Sequence, residues 1–201
     1  MEILSNVSFV IIVITAMIIL IFRDWRVNAV ALGLQYLADF FLFNLSFPIG
    51  ISVVKLIVGW MATAAIGITC IRQMKIRDIS EPTSSLFFRA MIGLMSIIVV
   101  FILAPTIQEN IFPGVTLVIL QSGLMLMTLA LMQLGTTADP YLTIISLLSF
   151  MAGFEIIHAA LEISTLLNSL LVIVNLGLAL VGIYFITNGG EREPADEGGL
   201  E

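Results

Sequence analysis

Glu155 and His158 interrupt SFMAGFEIIHAAL (149–161), a stretch otherwise apolar or small. A carboxyl buried in such surroundings and opposed by a basic group is poised to take up and release a proton, and an imidazole three residues on is a second group able to carry one. Asp39, in YLADFFLF, and Lys55, in ISVVKLIVGW, interrupt apolar runs in the same way. A charge at the centre of a membrane span costs about 2.5 to 3.5 kcal/mol, so such residues face a bundle interior and find partners there. Their spacing adds to the case. Asn28, Gln35 and Asp39 stand at i, i+7 and i+11, a polar stripe in a narrow sector of one helix. Lys55, Gly59, Thr63 and Gly67 recur every four residues, a groove of small residues with one added hydroxyl that ends at the lysine. Glu162 continues the face of Glu155 and His158, and Asn168 and Asn175 lie two turns apart.

Each of these residues also has a plain structural use. Asp39 with Lys55 could fix helix register, His158 could pack through a hydrogen bond, and Glu162 could be a solvated carboxylate at an interface. Glu155 fits such a use least, having no basic neighbour in its own helix except His158. Cys70 is the lone cysteine, so neither a disulfide framework nor a cysteine metal site is implied. No haem ligation, flavin fingerprint, Walker loop or iron–sulfur cysteine set occurs, so no cofactor is expected in this chain.

The elements that must hold these residues follow from composition. The chain of 201 residues is 60% hydrophobic and 11% charged, with mean hydropathy +1.14. That is an all-α, polytopic membrane protein. A window of roughly 17 to 25 apolar residues finds seven spans, about 4–22, 27–45, 49–71, 85–104, 114–134, 141–162 and 165–186. All six prolines (Pro48, Pro82, Pro105, Pro113, Pro140 and Pro194) fall outside these spans, which predicts uninterrupted helices. No internal repeat is evident. The first apolar run lacks a basic region before it and is long enough to be retained as a span.

Arg23, Arg26, Arg72, Lys75, Arg77, Arg89 and Arg192 cluster at alternate connections and in the tail. The bias toward Lys and Arg on cytoplasmic loops then puts the N-terminus outside and the C-terminus in the cytoplasm. Around ALEISTLL the sixth and seventh spans are separated by only a few residues; one bent helix is the alternative, and it would reverse the tail. Asp39 and Lys55 each lie about 9 Å below the outer boundary at 1.5 Å per residue, and Glu155 falls near the same depth. The tail GGEREPADEGGLE holds Glu191, Glu193, Asp196, Glu197 and Glu201 and has a solvated, disordered composition. No nucleic-acid surface is implied.

The segment GFEIIHAAL, with PYLTIISLLSFMA before it and LLVIVNLGLALVGIYF after it, resembles the K subunit of bacterial complex I. That three-helix family has a Gly-hydrophobe-Glu-hydrophobe-hydrophobe-polar-Ala core in its middle helix and a GLALL-like end in its last. FRDWRVNAVALGLQYL, ISVVKLIVGWMATAAI and SSLFFRAMIGLMSIIVVFILAP resemble helices of the hydrogenase-4 component E family, in which a K-like half follows such an extension and a lysine sits in the third helix. Together these cover most of residues 5–186. The resemblance implies three segments: a four-helix extension over 1–112, a K-subunit-like unit over 113–187 and an acidic tail over 188–201. It implies a non-redox subunit in the inner membrane of a prokaryote, partnered by other membrane subunits of a complex I-like or antiporter-like assembly. Glu155 would belong to a chain of protonatable groups, with Lys55 as the family's lysine, Asp39 and His158 beside them, and Gln35, Asn175 and Glu162 in support. The K subunit's second glutamate corresponds to Ile173 here, with Asn175 nearby. The competing expectation is a structural membrane subunit whose buried charges only specify assembly. A lipid-modifying enzyme built on Glu162 and His158 has little to support it.

Overall fold

The computed structural model describes residues 2–73, 83–161 and 164–188. Among them are seven helices and no strand: α1 (Glu2–Ile21), α2 (Trp25–Ser46), α3 (Ile49–Gln73), α4 (Thr83–Asn110), α5 (Leu117–Thr136), α6 (Pro140–Leu161) and α7 (Thr165–Asn188). All seven are long and apolar enough to cross a membrane. Glu162, Lys75, Arg77 and the tail after residue 188 lie outside the described residues.

Local chemistry sets the helix starts. Asp24 caps α2 by accepting from the Arg26 N–H at 2.9 Å, and Asp139 accepts from the Tyr141 N–H at 3.0 Å at the start of α6. Pro140 occupies the first position of α6, where its missing N–H costs nothing. One proline departs from expectation: Pro105 lies inside α4, which runs on to Asn110. A transmembrane helix tolerates such an insertion because local adjustment and its neighbours re-satisfy the freed carbonyl.

A regularity appears in helix length and spacing. Helices α1, α2 and α3 recur in length and spacing as α5, α6 and α7: the starts Glu2, Trp25 and Ile49 answer to Leu117, Pro140 and Thr165. The capping residues Asp24 and Asp139 follow the offset of the helix starts, and Asp39 and Glu155 fall one residue out of it. The two rows face each other, α1 on α5, α2 on α6 and α3 on α7, while α4 packs at the edge against α1 and α5. The repeat is invisible in the sequence because the two rows share a pattern of helices and almost no residues.

Close approaches fix the register. Within the second row, a Cβ on Gly153 would lie 2.7 Å from the Gly123 carbonyl oxygen, so α5 and α6 meet backbone to backbone. Within the first, the Tyr36 ring seats on Gly59 and the Trp60 indole donates to the Gly33 carbonyl at 3.1 Å. Across the rows the Tyr141 hydroxyl donates to the Trp25 carbonyl at 2.8 Å, and the Gln133 amide to the Ile19 carbonyl at 2.9 Å. Helices α6 and α7 pack side by side, with Gly182 against Ile144. They therefore form a hairpin and not one bent helix. The outward faces of α3, α4 and α7 are apolar, as at Phe87, Ile102 and Leu180, the surface that hydrocarbon requires.

Candidate functional site

The site lies where α2, α3, α6 and α7 meet. Lys55 Nζ stands 3.1 Å from Glu155 Oε2, and both side chains are buried. Asn175 Nδ2 donates to the other carboxylate oxygen, Oε1, at 2.9 Å. Both oxygens of Glu155 thus have partners, one charged and one neutral, on two different helices. The Lys55 ammonium also sits over the Phe43 ring, 3.9 Å from its centroid, where the negative face of the ring attracts it. Such a pair, once removed from water, holds only while the geometry is good and the remaining polar atoms are met. Here the amide of Asn175 and the Phe43 ring meet them.

Asp39 lies on the same cavity as Lys55, Glu155, Asn175 and Tyr36. It is 3% exposed, and neither of its carboxyl oxygens has a hydrogen-bond partner among the described residues. Lys55 and Asp39 share one cavity as the hairpin geometry requires, yet the lysine bonds the carboxylate of the opposite row.

The supporting residues divide. Gln35, one turn before Asp39, accepts from the Ser149 hydroxyl at 3.3 Å and joins α2 to α6. Asn28, at the start of the stripe, donates to the Phe22 carbonyl at 3.0 Å and belongs to the connection between α1 and α2. His158 does not line the cavity; its ring lies 6.0 Å from that of Phe154, and its Nε2 is buried with no partner among the described residues. The groove on α3 is filled only at Gly59. Thr63 turns its hydroxyl back onto the Gly59 carbonyl at 2.8 Å, and a Cβ on Gly67 would meet nothing within 4 Å. Ile173 is 66% exposed and faces outward, so no second acid is missing from the cavity at that position.

Tyr36 and Phe43 went unnoticed in the sequence. Both flank Asp39 at helical spacing, i−3 and i+4, and that spacing was the available signal. The arrangement holds one buried ion pair with a second carboxyl on the same cavity. No family model matches the chain, and neither a curated protein nor a solved structure matches it.

Proposed function

We propose that this chain is an ion-translocating, non-redox subunit in the membrane arm of a complex I-like assembly, of the hydrogenase-4 or antiporter-related kind. The observation that carries the proposal is the buried Lys55–Glu155 pair at 3.1 Å with a second, unpaired carboxyl on the same cavity. A change of charge in a neighbouring subunit would shift the balance between Lys55 and Glu155, and a proton would move because coupled groups titrate as a set. Redox chemistry would belong to partner subunits. The positive-inside pattern supports an outer N-terminus and a cytoplasmic tail in a prokaryotic inner membrane.

The decisive experiment is proton pumping by the purified complex carrying Glu155→Gln, with assembly verified. The variant keeps size and hydrogen bonding and removes titration, so pumping should fall sharply in an intact complex. Pumping at the unmutated rate would leave Glu155 a structural residue. A second reading, a subunit whose buried charges only specify packing, is favoured by one observation: Lys55, Glu155 and Asn175 tie three helices together. It predicts that neutral variants which assemble also pump.

A further inference from the structure

Several buried oxygens in the cavity remain uncommitted. Asp39 Oδ1 and Oδ2, the Tyr36 hydroxyl and Asn175 Oδ1 all lack a hydrogen-bond partner among the described residues. The three residues are 3%, 6% and 7% exposed, and all line the one cavity. Buried polar atoms are ordinarily satisfied, so four on one cavity point to something that binds there. The Asn175 amide shows the direction. Its Nδ2 donates to Glu155, and its oxygen is left to accept or ligate another partner.

Charge and size narrow the ligand. Lys55 balances Glu155, so an ionised Asp39 leaves the cavity with one net negative charge. A divalent ion of the calcium type takes about six to eight oxygen ligands, usually several of them carboxylates. Here one free carboxylate and two neutral oxygens stand beside an ammonium. Among the described residues no group of three His, Cys, Asp or Glu side chains could hold a metal ion. The free volume for the centre of a water-sized body is about 10 Å³, which is room for about one such body.

We propose that this cavity binds one sodium-sized monovalent cation, with the Asp39 carboxylate as its charged ligand and the Tyr36 hydroxyl and Asn175 Oδ1 as neutral ligands. The proposal rests on the reading of this cluster as an ion-handling site, and names the ion. Occupancy would engage both ends of the Asn175 amide, one on the cation and one on Glu155, and so link the ion to the Lys55–Glu155 pair.

The test uses the full-length chain, purified in detergent and in lipid nanodiscs. Sodium chloride is titrated against choline chloride at constant ionic strength, and bound radioactive sodium and the unfolding temperature are read. Saturable binding of one ion per chain is expected, with an unfolding temperature that rises in sodium and not in choline. Asp39→Asn should weaken binding at least about tenfold, equivalent to about 1.4 kcal/mol. Tyr36→Phe should weaken it about three- to tenfold while unfolding in choline at the unmutated temperature, because its ring keeps the seat on Gly59. Should Asp39→Asn fail to fold, Tyr36→Phe carries the test alone. No difference between sodium and choline, or unmutated affinity in either folded variant, overturns the site. Absent sodium binding together with pumping lost in Glu155→Gln would remove the sodium site and leave the translocation reading standing. Saturable binding with pumping unaffected by Glu155→Gln would do the reverse.

Discussion

Asp39 and Glu155 lie within one residue of equivalent places in the middle helices of the two rows, yet they live in opposite circumstances. Glu155 has a lysine on one oxygen and an amide on the other; Asp39, on the same cavity, has no partner on either among the described residues. The helices repeat and the lysine does not: Leu171 stands in α7 where Lys55 stands in α3. Lys55 therefore pairs with only one of the two carboxyls, the acid of the other row. A symmetric pair of rows with one lysine each would hold two closed ion pairs and nothing to exchange. The asymmetry leaves one closed pair and one open acid, an arrangement in which charge can be redistributed.

The comparison breaks most severely if the shared lysine is removed. Lys55→Ala leaves two buried carboxyls without a cation, and loss of one member of a buried pair costs about 3 to 5 kcal/mol. The expected outcome is poor assembly and a much lower unfolding temperature. Replacing both partners, Lys55→Met with Glu155→Met, should restore stability to near the unmutated level, since apolar residues of similar volume often replace a buried pair at little cost. Translocation should stay absent in the double variant. A Lys55→Ala chain as stable as the parent would mean that the ion pair contributes nothing to the fold.

Glycines of the two rows also differ in what they meet. Gly153→Ala places a Cβ 2.7 Å from the Gly123 carbonyl oxygen, a backbone atom that cannot step aside, and overpacking of this kind costs about 1 to 3 kcal/mol. Gly67→Ala, on α3, meets nothing within 4 Å and should leave the unfolding temperature unchanged or slightly raised. Equal effects from the two substitutions would show that the close approach at Gly153 does not constrain the fold.

Glu155→Asp sharpens the contrast between the two acids by giving the second row the shorter side chain of the first. The carboxyl survives but is withdrawn by one methylene and cannot hold both Lys55 and Asn175. Translocation should persist at a reduced level, about a tenth of the parent rate if one such contact worth about 1.4 kcal/mol is lost. Full activity would mean that the reach to Asn175 is dispensable.

Much of this was legible in the sequence, for physical reasons that can be stated. Seven helices long and apolar enough to span follow from hydropathy because hydrocarbon thickness sets the length such a helix needs, and Glu155 announced itself because a carboxyl in apolar sequence needs a reason. Depth counting placed Asp39, Lys55 and Glu155 on one level, and they line one cavity. The partner of Lys55 was legible only as a choice, since equal depth offered it both Asp39 and Glu155, and it pairs with Glu155. Hairpin adjacency favours Asp39, whereas the observed pairing with Glu155 depends on how α3 and α6 are rotated about their axes, which only packing decides. The continuation of α4 through Pro105 was hidden because a proline ends helices in water more reliably than between packed helices. The repeat was hidden because lengths and caps recur while side chains differ.

The smallest effect belongs to His158. It follows Glu155 by three residues, so helical geometry puts the two on one face, and on sequence alone it was a candidate to receive the proton. The structure separates them: His158 is absent from the cavity lining, and its ring lies at 6.0 Å from Phe154 with the planes inclined by 30°. On the proposed reading, a group outside the cavity contributes contact area and little to translocation. His158→Ala should therefore lower the unfolding temperature slightly, by the loss of one partly exposed ring, and reduce translocation less than about twofold, under about 0.5 kcal/mol on the barrier. Pumping by the assembled complex across pH 6 to 8 is the measurement. A drop comparable to that of Glu155→Gln, or a pH profile displaced by the substitution, would place the imidazole on the path and extend the exchange beyond the two acids and their one lysine.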